Sequence, residues 1–398
     1  MSRLEQLIAE HCPNGVAFKT LGEIATDIYR GAGIKREEVS DNGKPCVRYG
    51  EIYTTYGIWF DTCVSHTNAG TKTFGHGDIL FAITGERVDE IAKSCAYIGH
   101  EVCYAGGDIV VMKHEQNSKY LSYALSTVAA QEQKSKGKVK SKVVHSSVPA
   151  LKAIRIPLPP LPVQSEIVRI LDNFAELTAE LTAELTARKK QYEYYKDSLL
   201  TFDDVEWVPL CSVSTIVDSL HKTPGYVKSG YAMVRVTDIK GGYLNIDSTL
   251  KVDKETYMTF TKKYAPQKGD LVLSRVGSYG NVSIVPRSEE VCMGQNTVVI
   301  HPKINAGFLY QYLTSTGAQQ FIENNVGGGS QKTLSLKTIN QIPIPLPPLA
   351  EQQRIVEILD KFDVLTTDIT TGLPAEIAAR RKQYEYYRDK LLNFKEVS

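Results

Sequence analysis

No stretch of eighteen consecutive apolar residues occurs in this 398-residue chain, so no helix is expected to cross a membrane. The opening residues, MSRLEQLIAEHC, have no apolar core of the kind that directs secretion, and a cytoplasmic location is expected. Seven scattered cysteines, an odd number, do not make a disulfide framework and fit a reducing compartment. An excess of charge is missing too: 46 basic residues against 45 acidic leave a net charge of +1. A nucleic-acid binder of this size is often more basic, so only a locally basic face is left open.

Catalytic signatures are also absent. There is no GxxxxGK[ST] loop to cradle nucleotide phosphates, no GxGxxG, no HExxH and no GxSxG. Both double prolines, 159–160 and 347–348, follow leucine, so neither belongs to the Asn/Asp-Pro-Pro-Tyr loop of amino-methyltransferases. Cys63, His66, Cys95, His100 and Cys103 have the chemistry of soft metal ligands. A second copy of this region keeps only Cys292, so these residues are read as small apolar or surface positions and no metal is expected. Glu132-Gln-Lys134 matches a nuclease ExK element only by chance, having no equivalent elsewhere in the chain.

What the chain does contain is itself, twice. RKKQYEYYKDSLLTF at 188–202 returns as RRKQYEYYRDKLLNF at 380–394, with eleven of fifteen positions identical. IPLPPL at 156–161 returns at 344–349, and IVRILDNF at 167–174 returns as IVEILDKF at 355–362. Weaker matches join Gly77-Asp-Ile-Leu80 to Gly269-Asp-Leu-Val272, and Glu101-Val-Cys103 to Glu290-Val-Cys292. An internal repeat of this kind sets the architecture. Four regions follow: globular parts at 1–155 and 203–343, alternating with helical parts at 156–202 and 344–398.

The globular parts carry short apolar runs bounded by Gly, Asp and Pro, such as DILFAIT, DIVVM, DLVLSRV and NTVVIHP, which predict strands. Helices are predicted at Lys119–Gln133 and Phe308–Asn324, giving mixed α/β domains. In the helical parts proline ends what precedes, and a helix starts just after PLPPLP. Ile167, Ile170, Leu171, Phe174, Leu177, Leu181 and Leu185 then form a stripe that Tyr192, Tyr195 and Leu199 extend. Two such rods in one repeated chain most simply pack antiparallel as a coiled coil with pseudo-two-fold symmetry. Copy two is four residues longer between its Phe and its Arg, and Gly372 and Pro374 should kink or break it.

Binding is where the residues are suggestive. Lys134, Lys136, Lys138, Lys140 and Lys142 crowd five positive charges into nine residues, a loop suited to phosphates or a plain solvated one. The matching loop in copy two, VGGGSQK, offers close backbone approach with Ser330, Gln331 and Lys332, or is a flexible connector. Loops after central strands bring Thr84 and Arg87 in copy one, and Arg275, Ser278 and Tyr279 in copy two. Arginine can take a guanine edge bidentately. Arg48 and Arg235 are read as structural ion-pair partners. Leu177, Leu181, Leu185, Tyr192, Tyr195, Tyr384 and Tyr387 are candidates for helix packing or for docking a partner bound twice.

IPLPPL-x-x-Q, I-V-x-I-L-D-x-F, the TAEL tetrapeptide repeated at 178–185 and RKKQYEYYKDSLL together resemble the specificity subunits of Type I restriction-modification systems, over essentially the whole chain. The resemblance implies two target-recognition domains, each reading half of a split double-stranded DNA sequence. It also implies helical parts that form an antiparallel spacer and hold two methyltransferase subunits, with ATP-hydrolysing restriction subunits joining them. S-adenosylmethionine, ATP and Mg would belong to those partners, and this chain would be non-catalytic. Because the globular parts diverge, the two half-sites should differ. One TAEL unit adds about 6 Å and roughly 40° of helix, against about 3.4 Å and roughly 35° per base pair. Removing Thr182–Leu185 should thus shorten the unread spacer by one base pair or two. The competing readings are a coiled-coil scaffold that binds only proteins, and a self-sufficient DNA-modifying enzyme.

Overall fold

The apolar run at 79–82 is buried on both faces, and this organises the first half of the structure. In the computed structural model of the chain, which describes residues 2–136, 143–327, 332–367 and 372–397, Ile79 and Phe81 join one core while Leu80 and Ala82 join another. Side chains alternate across a strand, so both faces must be covered for such a run to be apolar throughout. Three strands carry the sheet: β1 (Ala25–Arg30), β2 (Ile79–Ala82) and β3 (Ile109–His114), with β3 central and antiparallel to both neighbours. Ser94–Tyr97 and Trp59–Phe60 complete five strands. A second five-stranded sheet covers one face. On the other lie helices α1 (Ser118–Leu125), α2 (Val128–Ser135) and the start of α3 (Leu161–Leu199).

The chain forms two compact units, residues 1–181 with 377–398, and residues 182–376. The second repeats the first more economically. Its sheet has four strands, including β4 (Ser214–Asp218), β5 (Leu271–Ser274) and β6 (Thr297–Pro302). Leu271, Leu273, Val298 and Ile300 face helices, and Val272 and Val299 face a three-stranded sheet. The covering helices are α4 (Ala306–Leu313), α5 (Thr316–Asn325) and α6 (Leu349–Thr367), followed by α7 (Leu373–Leu391), which belongs to the first unit from Ile377 onward.

The expected strands are found, but each expected single helix after the last strand is a pair. Thr127 and Ser315 interrupt the runs because their hydroxyls accept the amides of Ala130 and Ala318 and start new helices. Helix α3 begins directly after Pro160 and runs unbroken for 39 residues, about 58 Å. In copy two Gly372 lies outside both helices, and Pro374 sits in the first turn of α7, where proline is tolerated.

The repeated PLPPL-x-x-Q has a physical reason. Gln164 and Gln352 are buried; each amide donates to a proline carbonyl (Pro159, 2.7 Å; Pro347, 2.8 Å) and each side-chain oxygen accepts the N-cap amide of α1 or α4 (Asn117 and Asn305, both 3.1 Å). One side chain thereby fixes the long helix against the helix that follows the sheet, twice over. Removing it would orphan buried groups on both sides at a cost of about 1–3 kcal/mol.

Each unit is completed by the other copy's tyrosine stretch. In unit one, Tyr387 stacks on Phe174 with centroids 5.4 Å apart, and Leu392 is buried with Val163 and Ile167. In unit two, Tyr195 stacks on Phe362 at 5.6 Å, and Leu200 is buried with Ile355 and Leu359. In both, rising numbers on one helix meet falling numbers on the other, so the pairs are antiparallel. The expected leucine stripe is only partly covered: no residue of 172–198 is fully buried, Leu177 is 46% exposed, and Leu181 and Leu185 are half-buried.

Candidate nucleic-acid interface

Sheet register gathers the candidate loops. In unit one Arg30 pairs with Val110, and Ala82 with Ile109, so the ends of β1 and β2 and the start of β3 share one edge. The loop carrying Thr84 and the loop that follows the lysine run are joined there: Thr84–Gly85 pairs with Val144–His145. In unit two Asp218 pairs with Val298 and Ser274 with Thr297, and Val276 bridges to Thr333 just past the glycine loop. Two loops singled out separately in the sequence thus lie side by side in each unit. The helical part packs toward the opposite end, where β3 and β6 lead into α1 and α4.

Several of the named side chains are already engaged. Thr84 is buried, its hydroxyl 3.1 Å from Nδ1 of His145. Arg87 is exposed but paired with Asp89 and with Glu90 at 3.2 Å. The hydroxyl of Ser278 donates to the carbonyl of Val236 at 3.5 Å. Tyr279 and Lys332 both hold Glu323, at 2.5 and 2.6 Å, and these bonds keep its carboxyl below the usual range. Arg48 and Arg235 pair with Glu51 and Asp238 three residues on, as expected of structural residues. Lys136 is exposed at the end of α2, while Lys138, Lys140, Lys142, Ser330 and Gln331 lie outside the described residues.

Two expectations are corrected. Arg275 is not free for a base: its guanidinium binds Asp218 at 2.8 Å and the carbonyl of Leu334 at 3.0 Å, with 13% of its side chain exposed. Lys134 does not belong to a surface loop. It lies in α2, 4% exposed, and its Nζ donates to the carbonyl of Leu125 (2.8 Å) at the end of α1 and approaches Ser94 Oγ (3.4 Å). A carbonyl at a helix end needs a donor, and the lysine supplies it from inside.

Burial pushes Lys134 down to about 7 from its usual 10.5. The unfolded chain therefore binds more protons between those values, and stability rises with pH across that window. Lys134→Met removes this dependence. Chemical denaturation of both proteins from pH 7 to 10 should show wild type gaining on the variant by up to about 1.4 kcal/mol per pH unit. A constant difference would mean the folded lysine stays protonated across this range, as a solvated one would.

The tyrosine stretch separates into two faces. Tyr192 donates to Gln311 (3.1 Å), and Tyr384 packs on Tyr123 (6.5 Å), so these are used inside the chain. Tyr194 and Tyr386, equivalent positions that the stripe did not single out, are 70% and 60% exposed. Their repetition at equivalent positions, one residue before the stacked Tyr195 and Tyr387, was the available signal. Among the described residues no group of three or more His, Cys, Asp or Glu is arranged to hold a metal ion. Cys103 instead donates to the Tyr97 hydroxyl at 3.3 Å within the core, and His100 stacks on His76. No helix among the described residues is long and apolar enough to cross a membrane.

Comparison with known proteins agrees with this organisation. The family model described as the Type I restriction modification DNA specificity domain matches residues 13–188 and 223–379. The specificity subunit of the Type I restriction enzyme EcoR124I/EcoR124II of Escherichia coli is 36% identical over 258 residues, a match spanning 61% of this chain and 63% of that subunit's length. A Mycoplasma pneumoniae protein named as a type I specificity subunit is 26% identical over 383 residues, spanning 92% of this chain and 95% of its own. Among solved structures, a chain from the study of complex assembly in a type I R-M system shares the fold with a TM-score of 0.65, covering 96% of this chain and 98% of its own at 15% identity. The S subunit from M. genitalium shares it at 0.50, covering 95% and 96% at 16% identity. With the family model matched in both copies of the repeat, this chain belongs to the family of Type I restriction-modification specificity subunits.

Proposed function

We propose that this chain reads a bipartite, asymmetric double-stranded DNA target in the cytoplasm, one half through the loop end of each unit. The observation that carries the reading is the pairing of the two candidate loops at one end of each sheet, opposite the helices, in both units. The loops differ in residue content between the units, so the half-sites differ too. The helical parts hold two modification subunits, one per unit, with Tyr194 and Tyr386 as equivalent outward contacts. This chain does no chemistry; S-adenosylmethionine and the methylation of adenine belong to the modification subunits, and ATP and Mg to restriction subunits that join them.

Co-expression with the modification subunit in a methylation-free host, followed by genome-wide mapping of methyladenine, tests this. One asymmetric motif with two defined halves and a fixed gap is the expected result. Assembly of the complex without any motif would overturn it in favour of a protein-binding scaffold.

A further inference from the structure

Charge pairing decides which arginines at the loop end of unit one can meet a ligand. Arg30 is bound to Asp108 (2.6 Å), Arg48 to Glu51 (3.2 Å), and Arg87 to Asp89 and Glu90. Arg36 is different. It is exposed, and among the described residues no hydrogen bond or ion pair holds its guanidinium. It lines a cleft of about 520 Å³ whose walls include Gly33, Tyr49, Gly50, Glu51 and the Gly106–Asp108 turn. The two carboxylates of that wall, Glu51 and Asp108, are already neutralised by Arg48 and Arg30, so the unspent charge of the cleft is that of Arg36.

The glycines argue the same way. A Cβ at Gly33 or Gly50 would meet nothing within 4 Å, and neither needs a left-handed backbone. Internal packing does not demand glycine there; its effect is to leave the cleft open so that a ligand can approach the backbone. Tyr49, 40% exposed, supplies an aromatic wall beside it.

We propose that this cleft is a base-reading site of the first recognition unit, in which Arg36 takes the O6/N7 edge of a guanine in the major groove. A guanidinium is suited to that edge because its fork matches two acceptors at once, and a guanidinium free of carboxylates does not have to break an ion pair to do so. The inference rests on the DNA-reading function proposed above. In unit two Arg235 and Arg275 are both spent on Asp238 and Asp218, so the guanine contact is peculiar to one half-site.

The test uses the full chain co-expressed with its modification subunit, mapping methyladenine for wild type, Arg36→Ala, Arg36→Lys and Gly50→Leu. Arg36→Ala should lose preference at a single G·C pair in one half-site, by on the order of ten- to a hundredfold, with the other half and the gap unchanged. Arg36→Lys should restore only part of that preference. Gly50→Leu fills the cleft without touching Arg36 and should weaken modification at the same half-site; its folding is checked by thermal melting. An unchanged motif in Arg36→Ala, or a uniform loss at every sequence with the motif intact, would overturn the proposal, the second outcome marking Arg36 as a phosphate contact. Absence of any motif in the wild type would instead overturn the DNA-reading function itself.

Discussion

Deleting residues 377–398 should unfold the first unit, some two hundred residues upstream, and leave the second intact. Chain order suggests the opposite, since the segment follows the second globular part. In the structure, however, Leu392 is buried in the first unit's core, Tyr384, Leu391 and Phe394 pack against that core, and Ile377 is buried in the same unit. Lys395 and Val397 hydrogen-bond with Val16, and Arg155 pairs with Glu396 at 2.6 Å. Full burial of a large apolar side chain is worth about 1.5–3 kcal/mol; two of the five are buried and three partly so, which together amounts to roughly 5–10 kcal/mol. That is comparable with the whole stability of a typical domain, about 5–15 kcal/mol. Hydrogen exchange should show β3 amides losing protection while those of β6 keep theirs. Equal loss in both, or loss in β6 alone, would contradict the exchanged packing.

The second large effect concerns Thr182–Leu185. Removing one TAEL unit should abolish modification of the original DNA target and create a target whose halves are unchanged but whose gap is one base pair shorter. Helix α3 is continuous through the tract, and no side chain between 172 and 198 is fully buried, so the deletion breaches no core. The boundary between the two units falls within it, after Leu181. Four residues remove about 6 Å and a residual turn of roughly 40°. The rotation is close to that of one base pair, roughly 35°, and rotation is the harder mismatch because a half-site must face its reader. In copy two Gly372 lies outside both α6 and α7. Methyladenine mapping of the deletion variant reads the gap directly; an unchanged gap would end the idea of a ruler.

The legibility of this chain was uneven. Strands such as Ile79–Ala82 and Thr297–Pro302 stood out because burial on both faces makes the whole run apolar. The helix pairs after β3 and β6 did not, since the hydroxyl caps at Thr127 and Ser315 break a pattern that remains periodic on either side. For the candidate binding residues, the sequence did not show which charges are already engaged inside the fold. Arg275 meets Asp218 across 57 residues of sequence, and Lys134 ends inside a core whose walls come from separate elements.

By itself the sequence determined the repeat, the start of each long helix after its prolines, and the family resemblance. All of these rest on local patterns: periodicity, turn residues and identity between copies. Tertiary structure decided which copy's tyrosines complete which unit, and which cations are neutralised by carboxylates. Both are outcomes of pairing between distant segments. A stripe or a charge carries no address for its partner, and the match is made only when the folded chain brings burial and counter-charge to one place.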